Sequence, residues 1–242
     1  MTLRGLLVDY GGVLTTDVFA SFDAFCAREG LPPGTVRDLF RDDPAARSLL
    51  SGLEDGTLPD AEFEAGLAAL LGGAPKVPVD GAPEVPVGGA PEVPVGGAPE
   101  VPVGGAPEGP VGVAPEGLIE RLLGATTADV AMLDFVRAAR GRGIRTGLIS
   151  NSWGSQRYDR ILLDELFDGI VISGDVGVRK PDPQIYLLGA AAIGLPPQEC
   201  VYVDDLPGNL KPARALGMTT VRHRTPEETL EILTACLRDA PA

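Results

Sequence analysis

Four stretches of this chain end in side chains that could do chemistry together. Leu6-Leu7-Val8 runs into Asp9, and Gly11 and Gly12 follow. Ile144 to Ile149 runs into Ser150 and Asn151. Cys200-Val201-Tyr202-Val203 runs into Asp204 and Asp205, and Lys180 lies in the loop from Gly177 to Pro183. Carboxylates and a backbone carbonyl make a hard oxygen site suited to Mg²⁺. The remaining oxygen of Asp9 can attack phosphorus. Lys180 can hold that carboxylate and the phosphoryl oxygens, and Ser150 with nearby N–H groups can bind a further oxygen.

These side chains meet only if the stretches before them lie side by side. A short apolar run bounded by turn residues reads as a buried parallel strand. In open α/β sheets, reactive groups sit just beyond the carboxyl ends of strands. Taken alone, Asp9 also fits a plain turn after a strand. Further strands are expected at Gly169 to Gly174 and Thr219 to Val221. Helices are expected over Leu118 to Leu123, from Asp129, over Tyr158 to Phe167, from Pro183, over Asn209 to Leu216 and over Pro226 to Leu237. Strands that alternate with helices imply an α/β fold with a doubly wound parallel sheet. Thr16 to Leu71 is helical by spacing, with Phe19, Phe22, Phe25 and Cys26 on one face and Phe63, Leu67, Leu70 and Leu71 on another. It forms a small unit inserted after the first strand.

The 242 residues carry 34 acidic and 20 basic side chains, a net charge of −14. That balance opposes binding to nucleic acid and to anionic membranes. Cys26, Cys200 and Cys236 are too few and too scattered for a disulfide framework or a zinc site, so buried free thiols are expected. With no signal peptide and no apolar run of membrane-spanning length, the expected location is cytoplasmic. His223, the single histidine, is expected at the surface or at a strand end. Trp153 and Tyr10 read as packing or pocket wall, and Asn209 as a steadying residue for the loop after Asp205.

From Gly72 to Gly112 an octapeptide recurs, as in Gly88-Gly89-Ala90-Pro91-Glu92-Val93-Pro94-Val95. Its two prolines favour polyproline II and deny central-strand pairing. A unit buries only one Ala and two Val, too little to offset ordering eight residues at roughly 1–2 kcal/mol each. Two readings stand: a flexible insertion, or a self-association element that makes a homo-oligomer.

The four motifs, in this order, resemble those of the haloacid dehalogenase-like (HAD) hydrolases. Lys180-Pro181-Asp182-Pro183-Gln184-Ile185-Tyr186 and Val203-Asp204-Asp205-Leu206-Pro207-Gly208-Asn209-Leu210-Lys211-Pro212-Ala213-Arg214 are similar to the branch that contains the N-terminal phosphatase domain of soluble epoxide hydrolases. The resemblance covers the first strand and most of 129–222. It implies a Rossmann-like core over 1–15 and 125–242 and an α-helical cap over 16–71 and 113–124; the octads at 72–112 match nothing in the family pattern and read as an insertion within the cap. It further implies Mg²⁺-dependent hydrolysis of a small phosphorylated substrate through an aspartyl-phosphate. Asp9 would be the nucleophile, with Ser150 and Lys180 also catalytic. Ser150, Asn151 and Lys180 would meet the substrate. The metal would sit on Asp9, the Gly11 carbonyl, Asp205 and, directly or through water, Asp204.

One position departs from the resemblance. Phosphatases of this family usually carry an Asp as general acid and base where this chain has Gly11. General acid–base help is worth typically 10²–10⁴-fold. Three outcomes are open: only esters with good leaving groups react, another acid such as Asp17 or a cap residue substitutes, or catalysis is lost. Two other function classes remain. A 2-haloacid dehalogenase would use Asp9 on carbon, although the paired carboxylates count against it. A non-catalytic assembly protein would use the octads.

Overall fold

The computed structural model describes residues 2–73, 112–154 and 158–238. The octapeptide repeats lie, at 74–111, outside the described residues. Five parallel strands form one sheet: β1 (Gly5–Val8), β2 (Arg145–Ser150), β3 (Gly169–Ile172), β4 (Cys200–Asp204) and β5 (Thr219–Arg222), in the order β3-β2-β1-β4-β5. The register pairs Val8 with Leu148 on one side and with Val203 on the other. Asp9, Ser150 and Asp204 therefore end neighbouring strands on one edge.

Alternation along the strands splits the apolar side chains between two layers. Leu6, Val8, Leu148 and Val203 pack against α6 (Val130–Gly141), α7 (Arg160–Leu166) and α11 (Pro226–Cys236). Leu7, Ile149 and Tyr202 pack against α9 (Pro183–Ala192) and α10 (Pro207–Ala215) on the opposite face. Each fully buried aliphatic side chain contributes roughly 1.5–3 kcal/mol. The α/β doubly wound arrangement is the expected one.

A second core lies apart from the sheet. α1 (Val18–Arg28), α2 (Thr35–Asp42), α3 (Pro44–Glu54), α4 (Asp60–Gly72) and α5 (Leu118–Leu123) enclose Phe22, Phe25, Cys26, Phe63, Leu67 and Leu122. We call this unit the cap. The chain leaves the sheet and returns to it at one place. There Thr15 bridges Ala128, and the Asp129 N–H donates to the Leu14 carbonyl at 2.9 Å.

Local chemistry explains where the elements differ from expectation. Asp43 caps α3 by accepting from the N–H groups of Ala45 and Ala46, and Pro44 takes the first helical position. α10 starts at Pro207 rather than Asn209, with the proline in the first turn and no side-chain cap from Leu206. β3 stops at Ile172, because Ser173 turns its buried hydroxyl towards the Glu54 carbonyl of the cap and opens the short helix α8 (Ser173–Val176). Of the cysteines, Cys26 and Cys200 are buried and Cys236 is half-buried; all three are free. Among the described residues no helix is long and apolar enough to cross a membrane.

Candidate active site

Asp9 continues the β1 ladder, with its N–H on the Val203 carbonyl at 2.9 Å. Its carboxylate is held from two sides. The Tyr10 N–H donates to Oδ1 at 2.6 Å, and the Lys180 ammonium lies 2.7 Å from the same oxygen. Lys180 is buried, and its Nζ also lies 2.9 Å from Asp204 Oδ2. One cation thus joins two strand ends.

Asn151 fixes the Lys180 backbone. Its Oδ1 accepts from the Lys180 N–H at 2.8 Å, and its Nδ2 donates to the Lys180 carbonyl at 3.2 Å. Both ends of the amide expected to meet substrate are engaged in orienting the lysine loop. The following peptide bond, Lys180–Pro181, is cis.

Asp204 is fully buried and surrounded by donors. Oδ2 accepts from Lys180, from Asn209 Nδ2 at 3.1 Å and from the Tyr202 hydroxyl. Oδ1 accepts from the Leu206 N–H at 2.9 Å and from Asn209 Nδ2 at 3.0 Å. A carboxylate has about four lone-pair sites, so Asp204 is nearly saturated by the protein. Asp205 differs: it is half-buried and faces the loop after Asp9. A Cβ on Gly12 would stand 2.8 Å from Asp205 Oδ2, and Gly12 has φ +72°. Only glycine gives that backbone and leaves room for that carboxylate.

Asp9, Asp204 and Asp205 each bring one carboxylate oxygen within 4.8 Å of the others. Three carboxylates share one lysine, so negative charge is in excess. Burial pushes Asp9 up to about 8, with Asp204 and Asp205 adding to the rise and Lys180 opposing it. Burial and then the Asp204 charge push Asp205 up to about 6. Burial would lower the Lys180 ammonium, but Asp9 and Asp204 hold it above its ordinary value. An all-oxygen donor set with unbalanced negative charge, and a gap over Gly12 that any side chain would fill, fits a hard divalent cation.

Ser150 is buried at the end of β2, and its hydroxyl lies 2.9 Å from the Tyr158 hydroxyl. Both line a cavity of about 400 Å³ that Asp9, Gly11, Lys180 and Asp205 also face. Tyr10 lines it too, edge-on to Tyr158 with ring centroids 5.1 Å apart. The cap supplies the far wall, with Phe19, Phe22 and Phe40, and Trp153 from the loop after β2 packs into it. Asp17 is exposed, caps α1 through the Phe19 N–H, and is not among the lining residues.

Glu54 and Arg179 also belong to this region, and no spacing in the sequence announces them. Arg179 Nη1 lies 2.6 Å from Glu54 Oε2, and Nη2 donates to Ser51 Oγ at 2.8 Å. Glu54 lines the cavity from the end of α3. Tyr202 did leave a signal: it stands two residues before Asp204, on the same face of β4.

The family model for haloacid dehalogenase-like hydrolases matches residues 3–217. Bifunctional epoxide hydrolase 2 of Rattus norvegicus is 31% identical over 123 residues, which is 48% of this chain and 22% of that protein. The chain thus spans under a quarter of the length of that relative. A glyceraldehyde 3-phosphate phosphatase of Methanopyrus kandleri is 33% identical over 89 residues, 35% of this chain and 38% of that one. Among solved structures, the magnesium complex of a HAD family enzyme from Bacteroides thetaiotaomicron has a TM-score of 0.60. It is 18% identical, and the match covers 96% of this chain and 99% of that one. That likeness concerns the fold.

Proposed function

Because the chain belongs to the haloacid dehalogenase-like hydrolases, a family with phosphatases among this chain's relatives, we propose that it is a Mg²⁺-dependent phosphomonoester hydrolase working through Asp9. The observation that carries this reading is Lys180 Nζ at 2.7 Å from Asp9, inside a set of three carboxylates whose oxygens lie within 4.8 Å.

Asp9 attacks phosphorus; the bond from phosphorus to the leaving oxygen breaks, and the leaving group departs with the electron pair. Water then displaces phosphate from Asp9 and restores the carboxylate. Lys180 keeps the attacking carboxylate oriented and offsets charge on the phosphoryl oxygens. Asp204, locked by Asn209, Tyr202 and the Leu206 N–H, fixes Lys180 in place. Ser150 offers a hydroxyl at the cavity edge, and Asn151 sets the height of the lysine loop. Asp9, the Gly11 carbonyl and Asp205 would hold Mg²⁺, with Asp204 behind them. When bound, the ion supplies Lewis-acid neutralisation of phosphoryl charge. The cap and Trp153 wall the cavity on the side away from the sheet.

The test is hydrolysis of 4-nitrophenyl phosphate with Mg²⁺ and with EDTA, beside the Asp9→Asn variant. Turnover that needs both Mg²⁺ and Asp9 supports the assignment. Turnover that survives Asp9→Asn removes the assigned nucleophile.

A further inference from the structure

Resting on that phosphohydrolase reading, we propose that the substrates are aryl phosphates: monoesters of a phenol-type hydroxyl carried on a flat apolar body.

The first observation is the lack of a free carboxylic acid where the ester oxygen must leave; the Tyr10 phenol on the same wall is held by burial above its ordinary 10 and is a poor acid. Among the described residues, the carboxyls that line the cavity are Asp9, Glu54 and Asp205. Asp9 is held by Lys180, Glu54 by Arg179 at 2.6 Å, and Asp205 belongs to the carboxylate cluster. At position 11, facing the cavity, there is no side chain. A Cβ there would meet Val18 Cγ2 at 3.2 Å. The hydroxyl of Ser150 is paired with Tyr158.

Without an acid, the leaving oxygen departs as an anion. A phenol has a pKa of about 10, whereas an alkyl alcohol lies near water, at about 15.7. Only the former leaves readily unassisted. The bond from Asp9 oxygen to phosphorus forms as the bond from phosphorus to the phenolic oxygen breaks. The pair stays on that oxygen, and the phenolate takes its proton from solvent. A water oxygen then bonds phosphorus, the Asp9–phosphorus bond breaks, and the protons of that water pass to solvent and phosphate.

The second observation is the aromatic part of the cavity wall. Phe22, Phe40 and Trp153 meet at centroid distances of 5.5 to 6.1 Å in tilted and edge-on pairs. Such a surface takes another ring edge-on or offset. A cavity of about 400 Å³ has room for one.

The test uses the full chain with Mg²⁺ on phenyl, benzyl, glycerol and acetyl phosphate. Benzyl phosphate presents the same ring on an alkyl hydroxyl; acetyl phosphate has a good leaving group and no ring. Phenyl phosphate is expected to exceed benzyl and glycerol phosphate in kcat/KM by about 100-fold or more, the scale of missing acid catalysis. Phe40→Ala, and Phe40→Leu should the first variant fold poorly, lowers the phenyl-over-acetyl preference by about tenfold, the scale of one aromatic contact. Benzyl or glycerol phosphate turned over as fast as phenyl phosphate overturns this inference and leaves the phosphohydrolase reading standing. An unchanged phenyl-over-acetyl preference in both Phe40 variants also overturns it. No turnover of any of these four phosphates overturns both.

Discussion

The Glu54 carboxylate, at the last residue of cap helix α3, lies 2.6 Å from the Arg179 guanidinium, one residue before the lysine that touches Asp9. The cap is therefore clasped to the core beside the reacting groups. Arg179 also reaches Ser51, and the Glu54 carbonyl accepts from Ser173. Burial raises the Glu54 carboxyl, and Arg179 opposes the rise. Arg179→Ala leaves a buried carboxylate without its charge partner. Expected is a loss of roughly 1.5–3 kcal/mol, the range for hydrogen bonds to charged groups, read in urea denaturation. KM for aryl phosphates rises as well, because the cap wall loses its anchor. If Arg179→Ala matches the parent in both measurements, the clasp has no energetic role.

Asp205 stands in an environment that disfavours its charge, with burial and then Asp204 pushing it up to about 6. In the metal-free protein the native state therefore binds a proton more tightly than the unfolded chain. Stability from this group falls as pH rises between about 4 and about 6. Asp205→Asn removes that penalty. The variant should melt higher than the parent in EDTA at pH 8. It should also lose the melting shift that Mg²⁺ gives the parent, a shift worth about 2.7 kcal/mol at a hundredfold excess over Kd. A variant that melts lower in EDTA, or that keeps the Mg²⁺ shift, contradicts the placement of Asp205.

The strand ends were legible because β1, β2 and β4 are apolar runs, buried on both faces of the sheet, that are cut off by polar residues. Asp9, Ser150 and Asp204 followed from that alone, and Lys180 came from its motif. The clasp did not: Glu54 and Arg179 lie 125 residues apart, and neither pattern nor composition links them. The resemblance implies that Asn151 meets the substrate; the packing adds that its amide spans the Lys180 backbone. α3 was hidden within a longer helical stretch, since its start depends on an Asp cap and a proline rather than on apolar spacing.

His223 stands at the end of β5, one of the two places expected for it, and is buried there rather than at the surface. Its Nδ1 lies 3.0 Å from Thr229 Oγ1 on α11. Burial lowers its pKa below the ordinary 6.5, with Asp129 and Glu227 opposing. The unfolded chain thus takes up a proton first as pH falls. The His223 contribution to stability is complete above about 6.5 and is lost as pH drops towards the folded-state value. His223→Gln should flatten that part of the stability curve between pH 7 and 5 in urea titrations. A curve of unchanged slope would place the acid sensitivity elsewhere.

Gly11 and Gly12 are adjacent and should respond unequally to alanine. Gly12 has φ +72°, and its Cβ would stand 2.8 Å from Asp205 Oδ2 and 3.0 Å from Asp205 Cγ. Alanine there costs about 1–2 kcal/mol for the left-handed backbone and drives Asp205 out of the carboxylate cluster. A displacement on the order of 1 Å at such a group costs about 10²-fold in rate, so Gly12→Ala should lose about that much kcat and weaken Mg²⁺ binding. At Gly11 the Cβ would meet only Val18 Cγ2, at 3.2 Å, and the methyl end of a partly buried valine can shift. Gly11→Ala should therefore keep most Mg²⁺ affinity and lose far less activity. Kinetics and Mg²⁺ titration of both variants decide the matter. Equal losses at the two positions would mean that Asp205 does not depend on the space over Gly12.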